Sequence, residues 1–168
     1  SHRDSYSVNG YQSNTREAPY MMAAALWDVL SQQDIKYASP PSGFADEGQR
    51  IRLPADISKT KIGACLDISV LFASVLEQMG LNTVIALTKE HAFVGVWLID
   101  EHLPILTNDD PQDIRKRVAA RDLVFFESTL ITNLNRVSFS QAIEAANDEI
   151  SEEKEENFVF ALDIAHAR

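Results

Sequence analysis

The chain has 168 residues, enough to bury one core without disulfides or a structural metal. Hydrophobic residues make up 45% and charged residues 24%, a globular composition; no apolar run is long enough to span a bilayer and the polar start carries no signal peptide, so a cytoplasmic setting is expected. The net charge of -10, from 25 acidic against 15 basic residues, argues against a nucleic-acid surface, and the single cysteine excludes an internal disulfide.

Much of the acid is local. Between Glu144 and Glu156 the carboxylates Glu144, Asp148, Glu149, Glu152, Glu153, Glu155 and Glu156 surround one lysine, Lys154, a pattern of solvated helix end or loop. Ser1-His2 reads as the remnant of a cleaved purification tag, so the chain reads as a piece of a larger multidomain protein. Residues 1–15 form a polar lead, and residues 16–168 are expected to be a single domain.

Arg16 to Gln33 carries Ala23, Ala24, Leu26, Trp27, Val29 and Leu30 at helical spacing, with Pro19 near its start, and predicts an amphipathic helix. Pro40, Pro41 and Gly43 then predict an irregular loop over Ala38 to Gln49, with Phe44 as its anchor. Arg50 to Ile57, around Pro54, reads as an extended lead-in. Next comes KIGACLDISVLFASVLEQMG, Lys61 to Gly80, apolar nearly all round and closed by Gly80, the pattern of a helix buried in a core.

Asn82 to Thr88 and Ala92 to Ile99 are β-branched and aromatic on both faces, which places them as central strands. Asp100-Glu101-His102 is a turn, and Leu103 to Leu106 reads as a hairpin return strand. Asn108 to Pro111 starts a short charged helix over Gln112 to Ala120. Asp122 to Thr132 predicts a third strand, with Glu127 in its interior. Ser138 and Gln141 form a capping-box signature for a helix toward Ile150, and Phe158 to Ile164 predicts a last strand. The order predicts an α+β domain, a mainly antiparallel sheet packed on the buried helix that carries the cysteine.

Cys65 opens that helix. A thiol in a first turn faces backbone N–H groups without intrahelical acceptors and the positive end of the helix dipole, which favours its thiolate. His91 opens one strand and Glu127 lies in another. Nucleophilic thiol chemistry requires a base for the thiol proton and a third group to orient that base, and these residue types supply both roles.

Gly63-Ala64-Cys65-Leu66-Asp67, the helix ending Met79-Gly80-Leu81, His91-Ala92-Phe93-Val94-Gly95-Val96-Trp97 and Phe126-Glu127-Ser128-Thr129 together resemble the transglutaminase-like branch of the papain-type cysteine enzymes. The likeness covers roughly residues 49–132, and Ile51-Arg52-Leu53-Pro54 through Trp97 is similar to transglutaminase-like domains within large bacterial helicase-type proteins. It implies a transglutaminase-like, papain-like core and acyl transfer from a peptide or protein amide. Cys65 would be the nucleophile, His91 the base and Glu127 the orienting acid, acting without cofactor or metal as a cysteine protease, an amidase or an amine acyltransferase. The implied alternative is an inactive module that binds or regulates protein. Glutamate replaces the family's commoner aspartate, and the interval from His91 to Glu127 is long, which makes Asp100 a rival orienter. The oxyanion would meet the Cys65 N–H and a second donor, for which Gln49 and Gln12 are candidates by residue type.

Each residue also has a plainer reading. Cys65 can be a small core hydrophobe, His91 a strand-end histidine, and Glu127 an ion-pair partner of Arg115, Arg117 or Arg121. Asp67 reads as a helix-dipole carboxylate, Trp97 as core, and the basic Arg115, Lys116, Arg117 and Arg121 as an exposed helix face. His2 reads as tag, His102 as a solvated turn residue and His166 as tail. A zinc site from Cys65, His91 and Glu127 lacks the close-spaced ligand pairs usual in such sites.

Overall fold

In the computed structural model, which describes residues 9–39 and 50–167, a 3-10 turn at Tyr11–Ser13 precedes helix α1 (Glu17–Ser31). The expected loop anchor Phe44 and the candidate donor Gln49 lie outside the described residues, as does His2. Helix α1 buries Met22, Ala23, Leu26 and Trp27 along one stripe, and Pro19 sits in its first turn. Strand β1 (Lys36–Tyr37) follows, too short for alternation to announce it.

The extended lead-in expected over Arg50 to Ile57 is instead partly helical, because α2 (Pro54–Thr60) begins there. Pro54 stands at the helix start, where its fixed φ and missing N–H cost nothing. Lys61, at φ 56°, turns the chain into β2 (Ile62–Gly63), which pairs in parallel with β1, Tyr37 opposite Gly63. Helix α3 (Cys65–Gln78) starts immediately after, and Gly80 beyond its end has φ +88°, the left-handed conformation that favours glycine.

Five strands form the main sheet: β3 (Thr83–Thr88), β4 (Ala92–Trp97), β5 (Thr107–Asn108), β6 (Leu123–Phe126) and β7 (Phe158–Asp163). Their order is β5-β7-β3-β4-β6 and every pair is antiparallel. Helix α4 (Pro111–Ala119), capped by Asp110, lies between β5 and β6, and α5 (Phe139–Glu149), with Ser138 and Gln141 as its capping box, lies between β6 and β7. A last helical turn, α6 (Ile164–Ala167), ends the described chain.

Two expectations for the sheet are corrected. Leu103 to Leu106 does not return along β4; the strand that follows it, β5, crosses to the far edge and pairs with β7. The strand expected over Asp122 to Thr132 ends at Phe126, and Ser128–Thr132 is a 3-10 turn. Glu127 is thus the cap of that turn and not a strand interior, its side chain accepting from Thr129 N.

Period-two alternation sends β-strand side chains to two cores. On one face Ile85, Val94, Val96, Val124 and Phe126 meet α1, α3 and the start of α5, with Trp27, Phe72, Phe126 and Phe139 in mutual aromatic contact. On the other, Val84, Phe93, Trp97 and Phe125 meet Ile114 of α4 and Ala146 and Ile150 at the end of α5. Trp97 is a core residue there, with the Arg117 guanidinium 5.6 Å from its ring. Among the described residues no helix is long and apolar enough to cross a membrane.

Candidate active site

Three elements deliver three side chains to one end of the sheet. The β3–β4 connection is tight, with Thr88 N donating to the His91 carbonyl at 2.8 Å, so His91 stands at the mouth of β4. Strand β6 pairs with β4 through Val94 and Phe126, which sets Glu127 beside that mouth. Helix α3 packs across β4 with its N-terminus, and Cys65, toward the same end.

His91 Nε2 meets Glu127 Oε2 at 2.5 Å, and the Cys65 side chain lies near enough to His91 to act on its protonation. Burial alone pushes the His91 imidazole down, but the neighbouring Cys65 and Glu127 side chains outweigh it, raising the group to about 10. The other carboxylate oxygen of Glu127 accepts from Thr129 Oγ1 (2.7 Å) and Thr129 N (3.2 Å), which fixes the acid in place.

The ion-pair reading of Glu127 is corrected by these contacts. Arg115 pairs with Glu155, Arg117 pairs with Asp113, and the partner of Glu127 is His91. Asp100, the rival orienter, lies past the opposite end of β4 within 3.5 Å of Asn82 Nδ2. The added length of glutamate is absorbed by its place in a cap turn. The side chain can fold back onto its own Thr129 while reaching His91.

Supporting groups hold the first turn of α3. Asp67 is fully buried and accepts from Ala64 N (2.8 Å), Arg52 N (2.8 Å) and the Arg52 guanidinium (2.9 Å). It therefore joins the incoming chain to the helix start, a larger role than dipole compensation. Ser69 Oγ donates to the Cys65 carbonyl at 2.8 Å and lies 2.9 Å from Ser128 Oγ. That buried serine pair ties the cysteine turn to the glutamate turn.

Sequence reasoning missed Tyr37. Its place opposite Gly63 in the β1–β2 pair brings the phenol near Cys65. Partial burial, then the Cys65 and Glu127 side chains, raises the phenol above its ordinary value. No sequence signal could have found it, because a two-residue parallel pair has no pattern of its own. Gln12 is placed elsewhere: its neighbour Tyr11 is bonded to Trp97 O and Asn82 N, at the end of β4 away from His91.

Cys65 is fully buried, whereas Tyr37 is 43% exposed. Among the described residues, an open cleft walled by Tyr20, Val124 and Ile143 lies away from Tyr37, Cys65, His91 and Glu127. The fold and site thus define an α+β chain with a cysteine beside a hydrogen-bonded histidine–glutamate pair. No family model matches the chain, and no curated protein or solved structure matches it either.

Proposed function

We propose that the chain is a thiol-dependent acyl-transfer enzyme of the transglutaminase-like, papain-like class, acting on a peptide or protein amide. The observation that carries this reading is that His91 bonds Glu127 and lies beside Cys65. The raised His91 favours its protonated form beside Cys65, the nucleophile in this reading.

In the proposed cycle the Cys65 thiolate forms a C–S bond to the amide carbon while the carbonyl π pair moves onto oxygen. First-turn N–H groups of α3, which have no acceptor within the helix, would meet the oxyanion, and the Tyr37 phenol, a neighbour of Cys65, would be the second donor. As the oxyanion collapses, the C–N bond breaks and the leaving amine takes its proton from His91. The neutral imidazole then accepts a proton from water or a second amine as that group attacks the thioester carbon, and the C–S pair returns to Cys65. Water yields an acid and amine yields a new amide. Glu127 holds the ring throughout and stabilises its positive form.

One observation favours the alternative, a module that keeps this fold for binding or regulation without turnover: Cys65 has no exposed surface. Iodoacetamide labelling separates the two. The enzyme reading expects Cys65 to alkylate in the folded protein below about pH 8, where a free thiol is mostly protonated, and His91→Ala to remove that advantage. Labelling only above that pH, or only after unfolding, would sink it.

A further inference from the structure

A second cluster of donor groups lies at the opposite end of the sheet. Strand register sets Asp163 opposite Val84 at the start of β3, whereas His91 follows Thr88 at its end, so this cluster shares nothing with the cysteine site. His102 and His166, expected as a solvated turn residue and a tail, are packed together with ring centroids 4.9 Å apart and planes at 83°. One ring nitrogen of each and one carboxylate oxygen of Asp163 all lie within 4.8 Å of one another.

Three features separate this group from a chance surface encounter. Asp163 is fully buried, and among the described residues the donors that satisfy it are backbone N–H groups, from Leu103 (2.7 Å) and His166 (3.1 Å), with no lysine or arginine. A buried carboxylate without a fixed cation is costly unless positive charge reaches it from somewhere. Next, His102 Nδ1 and His166 Nε2 each approach the Leu103 carbonyl at 2.7 Å, and a carbonyl only accepts, so both rings are oriented through N–H donation to backbone. Backbone carbonyls commonly set tautomer and ring direction for metal-binding histidines in this way. Finally, both histidines are exposed while the acid is buried, which leaves an open side for water to complete a coordination sphere.

We infer that His102, Asp163 and His166 form a binding site for a divalent transition-metal ion of the zinc type, held by two imidazole nitrogens and one carboxylate oxygen. That donor set suits zinc and its neighbours over magnesium or calcium, which prefer oxygen alone. On each ring the nitrogen not bonded to the Leu103 carbonyl keeps its lone pair for the ion, and bond lengths near 2.1 Å require the three donors to draw together around it. A bound ion would tie the chain between β4 and β5 to the end of β7, joining segments far apart in sequence.

The test titrates zinc, and cobalt as a visible-absorbing stand-in, into the folded Cys65→Ser protein, which lacks the one thiolate ligand but keeps its packing. One equivalent should bind, cobalt should develop visible d–d absorption without a thiolate charge-transfer band, and the thermal midpoint should rise with metal concentration. His102→Ala and His166→Ala, both at exposed positions, should fold normally by circular dichroism and weaken binding by at least about 10-fold, the lower bound seen when even an outer-shell partner is lost. Absence of binding at micromolar metal, or binding unchanged in both histidine variants, overturns the inference. Binding to the unaltered protein that disappears with Cys65→Ser also overturns it, by placing the ion at the cysteine.

Discussion

His91 carries the clearest pH signature in the molecule. Its folded-state value is raised to about 10, against about 6.5 for an imidazole in the unfolded chain. A raised group contributes stability that is complete below about pH 6.5 and is lost as pH climbs through about 10. Chemical unfolding at a series of pH values should therefore show stability falling across that window, more steeply than in Glu127→Gln, where one of the groups holding the proton is neutralised. Equal slopes would show that the His91–Glu127 contact does not hold the proton. The same variant should cost activity while the protein still folds, since among the described residues the Glu127 oxygens are bonded to His91 and Thr129 and to no lysine or arginine. Tyr37→Phe is the matching test on the other side of Cys65. If the phenol meets the oxyanion, kcat for an amide substrate should fall by about 100-fold or more with KM little changed; an unchanged kcat would return Tyr37 to a packing role.

At the scale of elements, close approach decides what each strand tolerates. A Cβ on Gly95 would stand 2.7 Å from the Phe125 ring, its cross-strand partner, and that ring is walled in by Phe93. Gly95→Ala should cost about 1–3 kcal/mol, read as a lower denaturant midpoint. An unchanged midpoint would mean that the ring has room to move. The serine pair offers a milder test. Ser128→Ala leaves Ser69 bonded to the Cys65 carbonyl, so only one hydrogen bond is lost, about 1 kcal/mol. Element identity was largely legible in sequence. The all-round apolar pattern of α3, the Ser138–Gln141 capping box and the runs of β3, β4 and β7 each carry a local cause. What local pattern could not supply was length where two structures share one run: Phe125 and Phe126 finish a strand while Glu127 caps the turn that follows, yet all belong to one apolar stretch. Pro54 shows the same limit, since proline suits a helix start and an edge strand equally.

At the scale of the whole molecule, the core around Trp27 joins α1, α3, α5 and β6 through ring contacts to Phe72, Phe126 and Phe139. Trp27→Ala should cost about 3–5 kcal/mol, enough to unfold a marginal domain, and calorimetry would read it directly. The sequence by itself determined the α+β composition, the buried cysteine helix and the three residue types of the candidate site, because hydrophobic period, caps and turn residues act over a few positions. Only the tertiary structure decided which groups meet. Strand order moved β5 from β4 to the far edge, took Asp100 away from His91, brought Tyr37 to Cys65 and gathered His102, Asp163 and His166. The physical reason is that strand neighbours are chosen by long-range backbone pairing and by how two opposed apolar faces are covered, and neither is written in the spacing of any single segment.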